Sequence, residues 1–425
     1  MSVAIVGSGI AGLAAAYAIG RTHPVEIFEA DSYVGGHVRT VHVSERGRDV
    51  PIDMGFIVYN ENRYPNLTRL FADLRVTSRP TDMSFSVRRD DTGFEYGTSG
   101  LRSLFARRRD LLRPGHYRLL TEIVRFVRLG KRSVGAAGLE GLTMAEFLER
   151  HGVSRDAIDL FVIPLGASIW STSPTRMLEF PASTYLHFCD AHGMLDLVGA
   201  PQWRTLVGGS QTYVRALLAN LPARVHLETP VRRIRREVGG VVLEFSGGPS
   251  RRFDRCVLAA HSDQSLAILA DPSALERTVL GAIGYSRNTA WLHTDASLLP
   301  RRAAARAAWN FQIATGEVGE RATLTYWMNR LQGLDAAETY CVSLNPTRSI
   351  PSTYVIERVE FAHPLFDLAA IRAQKEIAKL QGLRGTYYCG AWQRYGFHED
   401  GMASGLDAGR RLLAEYARRP LEDRP

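Results

Sequence analysis

Gly7-Ser8-Gly9-Ile10-Ala11-Gly12 follows the apolar run Val3-Ala4-Ile5-Val6 and opens the Ala-rich stretch Leu13–Ile19. Glycines at that junction suit one chemical task. The first lets the chain turn tightly, and the second admits a pyrophosphate to bare backbone amides around Ser8, Ile10 and Ala11. The third lets helix and strand pack closely, with the phosphates on the helix N-terminus. Glu29, with Ala30 beyond it, ends the next apolar run about 20 residues after the turn, where a carboxylate can accept hydrogen bonds from an adenosine ribose. These residue types at this spacing point to a bound dinucleotide.

The elements that must position them read as a βαβ unit over residues 3–29. Helical periodicity recurs over Tyr64–Leu74, Arg113–Arg132, Met144–Arg150 and Gln211–Leu221. Residues 225–227, 231–235 and 241–245 read as hairpin strands, Cys256–Ala260 as a buried strand, and 287–345 as strands mixed with turns. Ala369–Leu380 reads as a helix, Thr386–Cys389 as a last strand and Met402–Tyr416 as a last helix. Glycine turns between strand and helix therefore occur at the start, the middle and the end of the chain. The expected fold is α/β (α+β overall), with a discontinuous Rossmann-like domain from residues 1–75, 205–268 and 380–420. An inserted mixed sheet-plus-helix substrate domain would take 76–204 and 269–379.

Further segments sharpen the cofactor. Gly35-Gly36-His37-Val38-Arg39-Thr40 lies beyond Glu29, and Asp53-Met54-Gly55-Phe56 follows. Cys389-Gly390-Ala391 ends the last strand, and Glu399–Gly405 opens the last helix. In order and spacing the chain resembles the FAD-dependent amine oxidase, protoporphyrinogen oxidase and phytoene desaturase superfamily. That resemblance implies non-covalent FAD, with Gly36 and His37 near the pyrophosphate and Gly55 and Phe56 near the isoalloxazine. It also implies Val231 reading adenine by its backbone, Gly390 near the ribityl or phosphate, and the amides of Met402 and Ala403 facing flavin O2 and N1. His37 stands where the superfamily usually has Arg, leaving Arg39 as a phosphate partner, and Ala391-Trp392 replaces an acidic residue.

Asp53–Asn60 (DMGFIVYN), Tyr64–Leu67, Ile169–Ser171, Trp203–Tyr213, Trp327–Gln332 and Tyr395–Gly401 (YGFHEDG) resemble one bacterial subgroup. Its members are encoded beside cyclopropane fatty acid synthases and lipid methyltransferases. The implied substrate is an acyl chain of a membrane phospholipid, desaturated or otherwise oxidised, with a lipid methyltransferase as partner. His398 aligns with the position that presents an aromatic to the substrate face of the flavin and is the first catalytic candidate, as base, with Glu399 second. The alternative for both is to cap the last helix. Tyr59, Asn60, Asn329 and Tyr395 are candidate pocket residues, whereas His192, His261, His293 and His363 read as structural. Many amine oxidases of this resemblance keep a lysine near flavin N5. Here the lysines are Lys131, Lys375 and Lys379, none within 287–345, which favours C–C over C–N oxidation. The competing readings are an amine oxidase and a non-catalytic flavin-bearing partner of a lipid methyltransferase.

Charge is local. Residues 101–132 carry ten basic side chains against Asp110 and Glu122, an excess equal to the net +8 of the whole chain. A basic amphipathic helix preceded by Arg107-Arg108-Arg109 suits an anionic membrane surface touched along Arg102–Arg132. No nucleic-acid motif accompanies it, so nucleic acid is not an expected partner. Four scattered cysteines form no metal or disulfide pattern, so no metal is expected and a reducing compartment is. The uncharged stretch Ser2–Gly20 lacks a basic leader and is broken by glycines, which argues against a signal peptide or membrane span. The expected location is cytoplasmic, peripheral to the inner face of the membrane.

Overall fold

The structure, a computed structural model, describes residues 1–197, 199–314 and 322–418. Strand β1 (Val3–Val6) is buried at every position, as a strand must be when helices cover both faces of a parallel sheet. It pairs in parallel with β2 (Val25–Phe28) on one side and with the later strand Arg255–Leu258 on the other. With β3 (Ala223–His226), β4 (Arg255–Leu258) and β5 (Thr386–Tyr388), the sheet has the order β3-β2-β1-β4-β5. The chain leaves β1 toward β2 on one side while β4 lies on the other, so a crevice opens at the carboxyl end of β1, the place where doubly wound sheets bind ligands. Residues 225–227 were expected to join a hairpin. Val225 and His226 belong instead to β3, which pairs with β2, and the hairpin region is a separate antiparallel sheet of Val231–Glu237, Gly240–Phe245 and Arg251–Phe253.

Helix α1 (Ile10–Ile19) is buried on nearly all sides, which its run of Ala and Gly allows. The last helix, His398–Arg418, packs across it through glycines four residues apart. A Cβ at Gly405 would stand 2.1 Å from the Ala11 carbonyl oxygen, and one at Gly401 would stand 2.7 Å from a methyl of Ile10. Only the missing side chains let the helices approach this closely, and the contact delivers the start of the last helix to the glycine turn.

The second region is a seven-stranded sheet, in order Val355–Leu365, Gly284–His293, Cys341–Leu344, Leu324–Trp327, Trp309–Ile313, Phe85–Arg89, Phe94–Gly97. Helices from the first insert cover one end of it, with Phe126, Phe147, Trp170 and Tyr185 at their core. No helix among the described residues is long and apolar enough to cross a membrane.

Candidate functional site

Gly7 takes a left-handed φ of +101°, and a Cβ there would press 2.9 Å from the Ala259 carbonyl oxygen. A Cβ at Gly12 would stand 2.0 Å from the Gly7 carbonyl oxygen, so the turn closes only with glycine at both places. At Gly9 the space is open, with nothing within 4 Å of where a Cβ would point. A turn with two closed glycines and one open one fits a pyrophosphate against backbone amides. Gly35 bridges to Gly9, which brings Gly36 to the same rim. Ile10 and Ala11 point inward as core. The Ser8 amide and hydroxyl both donate to Glu29, at 2.8 and 2.5 Å. The Ser8 side chain thus serves Glu29, whose other oxygen accepts from the Asp31 amide at 3.0 Å. That second oxygen, with one bond accepted, keeps acceptor capacity for a ribose hydroxyl. Ala30 is exposed beside it. Thr229 donates its amide to the Glu29 carbonyl at 2.8 Å, which seats the start of the Val231 strand beside the ribose position.

At the other end of the crevice, Gly55 lies under His37. A Cβ there would be 2.0 Å from the His37 carbonyl oxygen, and the Phe56 amide donates to that oxygen at 3.0 Å. Phe56 stacks flat on His398, with centroids 3.9 Å apart and planes at 9°. His37 also lies 4.9 Å from Phe361, 5.4 Å from His363 and 6.3 Å from His261, centroid to centroid. His37, His261, His363 and His398 are all enclosed by protein yet retain accessible surface, as residues lining an internal cleft do. Burial lowers all four: His398 to about 3, His363 to about 4, His261 below its usual value and His37 well below, with neighbouring histidines adding to the effect on His37 and His363. They are neutral imidazoles at neutral pH. His261 and His363 were read as structural; the fold brings them into the same cleft as His37 and His398. His293 and His192 are structural, one bonded to Ser343 at 2.8 Å and the other stacked on Phe188 and Trp203.

Hydrogen bonds engage the ring nitrogens. The Tyr213 hydroxyl and Nε2 of His398 share a hydrogen bond at 2.6 Å, in which the ring tautomer decides the donor. For His363 the chain of bonds starts at a backbone group. The Thr289 amide donates to Oδ1 of Asn345 at 3.0 Å, and Nδ2 of Asn345 donates to Oδ1 of Asn288 at 2.7 Å. Nδ2 of Asn288 then donates to Nδ1 of His363 at 2.9 Å, so His363 carries its proton on Nε2. His37 meets the Ala362 carbonyl with one ring nitrogen and keeps the other as an acceptor. Nε2 of His398 is thus committed to Tyr213, which leaves Nδ1 for any role as base.

Glu399 is committed elsewhere. Its carboxylate accepts from the amides of Asn66 and Leu67, each at 3.0 Å, and from the Asn66 side chain, which caps helix α2 (Pro65–Asp73). The last helix, now α3 (His398–Arg418), begins a full turn earlier than expected. Asp400 reaches back to the Phe397 amide at 3.0 Å and extends it. Met402 and Ala403 consequently lie in the second turn, where amides bond carbonyls four residues back. The free donors are the amides of His398, Glu399 and Asp400, which replace Met402 and Ala403 as the helix-terminal groups that can meet an anion. The Gly390 amide is held by the Ser404 hydroxyl at 2.9 Å, tying the end of β5 to α3.

The expected pocket residues do not converge. The Tyr59 hydroxyl bonds Ser78 at 2.9 Å within the core. Asn329 holds a turn through the Glu338 carbonyl and the Tyr340 amide, both at 2.7 Å. Asn60 is fully buried with an unpartnered Nδ2, and Tyr395 packs near Phe188, its carbonyl bonded by the Trp170 indole. A cavity of about 860 Å³ lies instead against the seven-stranded sheet, between Trp291 and Phe311 on the strands and Ile163 and Leu178 on the helices. Asn345, the start of the side-chain relay to His363, is on its wall. No sequence signal marked this cavity, since its wall is assembled from strands and helices far apart in the chain.

A parallel sheet with a glycine cradle, a carboxylate suited to a ribose and an aromatic cleft at its carboxyl edge defines a dinucleotide-dependent protein with a second sheet-and-helix region added. Residues 10–331 match the model of the flavin containing amine oxidoreductase family, and the chain belongs to that family. Its cofactor is FAD, and the open Gly9, Glu29 and the aromatic cleft fit that group. A Mycobacterium tuberculosis protein provisionally named flavin-containing monoamine oxidase AofH is 29% identical over 256 residues, 58% of this chain. The match takes in 54% of that relative, so the chain spans about half the length of the curated relatives it matches. Among solved structures, putrescine oxidase bound to putrescine is similar with a TM-score of 0.68 at 15% identity, covering 97% of this chain and 99% of that one. A conjugated-linoleic-acid-producing fatty acid isomerase from P. acnes is similar with a TM-score of 0.67 at 17% identity, covering 97% and 98%. Cyclohexylamine oxidase from Brevibacterium oxydans gives 0.68 at 17% identity, covering 98% and 99%. Such identities establish a shared fold.

Proposed function

We propose that this protein is an FAD-dependent oxidoreductase that desaturates or otherwise oxidises methylated or modified acyl groups of phospholipids. The observation that carries this reading is the cavity of about 860 Å³, with Ile163, Leu178, Trp291 and Phe311 on its walls and the Asn345–Asn288–His363 relay running from it to the cofactor cleft. Its size is within the roughly 300–1,000 Å³ of small-molecule sites, and Ile163, Leu178, Trp291 and Phe311 give its mixed wall an apolar part for an alkyl chain. Arg89, Arg155 and Arg348 line the same cavity. Each is held by one aspartate, and a guanidinium has five donors, so donors remain for an anionic end.

FAD, when bound, supplies the hydride acceptor. The protein's own groups bind and orient. The glycine turn and Glu29 take the nucleotide. Phe56 and His398 form a flat wall fixed by Tyr213, and His363 offers a donor of set tautomer. His37 is held by the Ala362 carbonyl at one ring nitrogen. No lysine stands on the strands of the cleft. The resemblance of Asp53–Asn60 and Tyr395–Gly401 to proteins encoded beside cyclopropane synthases supports the same substrate class, as does the likeness in fold to a fatty acid isomerase.

The second reading is amine oxidation, favoured by the name of the M. tuberculosis relative. Anaerobic mixing separates the readings. Phospholipid with methylated or cyclopropanated chains should bleach the oxidised-flavin absorbance, whereas a panel of amines should not. Bleaching by amines alone, with aldehyde and peroxide on re-aeration, would establish the second reading. A flavin that no lipid or amine bleaches would leave the chain as a flavin-bearing partner of a lipid methyltransferase.

A further inference from the structure

The basic segment is not a uniform stripe. In the helix Pro114–Ser133, two of the four later cations are answered: Arg125 pairs with Glu122 at 3.1 Å, and Lys131 pairs with Asp190 at 2.5 Å and Asp196 at 2.9 Å, while Arg128 and Arg132 form no ion pair among the described residues. The unpaired cations crowd just before that helix and in its first turns. Arg102, Arg108, Arg109, Arg113 and Arg118 are exposed and form no ion pair among the described residues. Between them stand large apolar side chains that the fold leaves in solvent: Leu101 is 77% exposed, Leu112 87%, Leu111 50% and Tyr117 46%.

This corner is built rather than loose. Arg107, expected to be part of the basic surface, is buried and forms a two-pronged pair with buried Asp110, Nε to Oδ2 at 2.7 Å and Nη2 to Oδ1 at 2.8 Å. Its remaining nitrogen donates to the Gly93 carbonyl at 3.1 Å, and its guanidinium lies 4.9 Å over the Phe94 ring. The pair closes the 3-10 turn Arg108–Leu112, which projects Leu111 and Leu112 outward between arginines. A buried ion pair is costly to maintain, and here it holds leucines in water, where they gain nothing unless something apolar meets them.

We propose that this corner, Leu101–Arg118, is the surface by which the protein docks on an anionic lipid bilayer, with Leu101, Leu111, Leu112 and Tyr117 entering the headgroup boundary and Arg102, Arg108, Arg109 and Arg113 meeting lipid phosphates. Unpaired cations ringing exposed apolar side chains complement an anionic surface over an apolar interior. Nucleic acid would use the arginines and leave the leucines without a role. The surface is also joined to the cavity. Gly93 lies in the turn of the hairpin formed by Phe85–Arg89 and Phe94–Gly97, and Arg89 of that hairpin lines the cavity. That the bilayer supplies the cavity's occupant rests on the lipid reading above; the docking itself does not.

The test is flotation of the full-length FAD-loaded protein with vesicles of phosphatidylcholine alone or with 30 mol% phosphatidylglycerol (about one anionic lipid in three, enough for a strong surface potential). Binding is expected to the anionic vesicles. Each arginine near such a surface strengthens binding about five-fold, so Arg108→Ser, Arg109→Ser and Arg113→Ser together should weaken it on the order of 100-fold. Leu111→Ser with Leu112→Ser should weaken it comparably while leaving the flavin spectrum unchanged. Equal binding of all variants, or equal binding to uncharged vesicles, would overturn the proposal. Loss with the arginine set but not the leucine set, together with equal affinity for a DNA duplex, would overturn it in favour of nucleic acid. Vesicle binding with no flavin bleaching by lipid would sustain the docking surface and sink only the substrate reading.

Discussion

Asn288 donates its side-chain amide to Nδ1 of His363 at 2.9 Å, and that bond decides which nitrogen of His363 carries the proton. Asn288 is itself 2% exposed and oriented by Asn345, whose orientation is set by the Thr289 amide. Asn288→Ala would leave a buried imidazole nitrogen and Asn345 unsatisfied. We expect a loss of about 1–3 kcal/mol in urea unfolding of the FAD-loaded protein. The shape-conserving Asn288→Asp should change the pH dependence of flavin reduction, since a carboxylate there would favour charged His363. An unaltered pH profile would argue against the relay.

The cleft histidines make stability depend on pH with a definite sign. In the unfolded chain they take up protons below about 6.5, whereas in the folded chain His363 and His398 stay neutral down to about 4 and about 3. The unfolded state thus binds more protons across that window, and stability falls as pH falls, by up to about 1.4 kcal/mol per pH unit for each. Asp53 and Asp400, raised by burial to about 6 and about 7, act the other way, losing stability as pH rises from the usual aspartate range. His363→Asn with His398→Asn should therefore flatten the decline between pH 7.5 and pH 5. The same decline in the double variant would mean the imidazoles are charged when folded.

Close helix packing at Gly405 permits no side chain. With a Cβ only 2.1 Å from the Ala11 carbonyl oxygen, Gly405→Ala must push α3 from α1. Overpacking of this kind costs about 1–3 kcal/mol, and because α3 carries His398, flavin content of the purified protein should fall with it. Gly247→Ala, with open space at its Cβ, is the control and should leave both melting temperature and flavin content unchanged.

Removing one member of a buried ion pair strands the other. Arg107→Ala should cost about 3–5 kcal/mol in unfolding free energy, with Asp110 left charged and fully buried. Its exposed neighbour Arg108→Ala should change stability by less than about 0.5 kcal/mol. Similar losses for both would contradict the burial of Arg107.

Ser8 and Glu29 form one unit beneath the cradle. Glu29→Ala removes the acceptor for the Ser8 amide and hydroxyl and for a ribose hydroxyl. Flavin retention measured by dialysis should weaken about 10–100-fold, the equivalent of one or two hydrogen bonds to a charged group.

The glycine turn, Glu29 and the strand–helix–strand around them were legible in the residues alone, because they answer local demands: a positive φ at Gly7, no side chain where phosphate must approach, and an apolar run long enough for a strand. The strand Val355–Leu365 was not legible, since Ile356 and Pro364 break the alternation of its apolar positions, and with it went the placement of Phe361 and His363. The one-turn extension of α3 depended on whether Asp400 would turn back to Phe397. By itself the sequence pointed to a dinucleotide and to the glycine turn as its cradle. Only the tertiary structure decided that histidines from four separated segments share one cleft, which of their nitrogens are already bonded, and that Arg107 is inside while Leu112 is out. Proton positions and exposure follow from partners distant along the chain, and spacing within a segment carries no record of them.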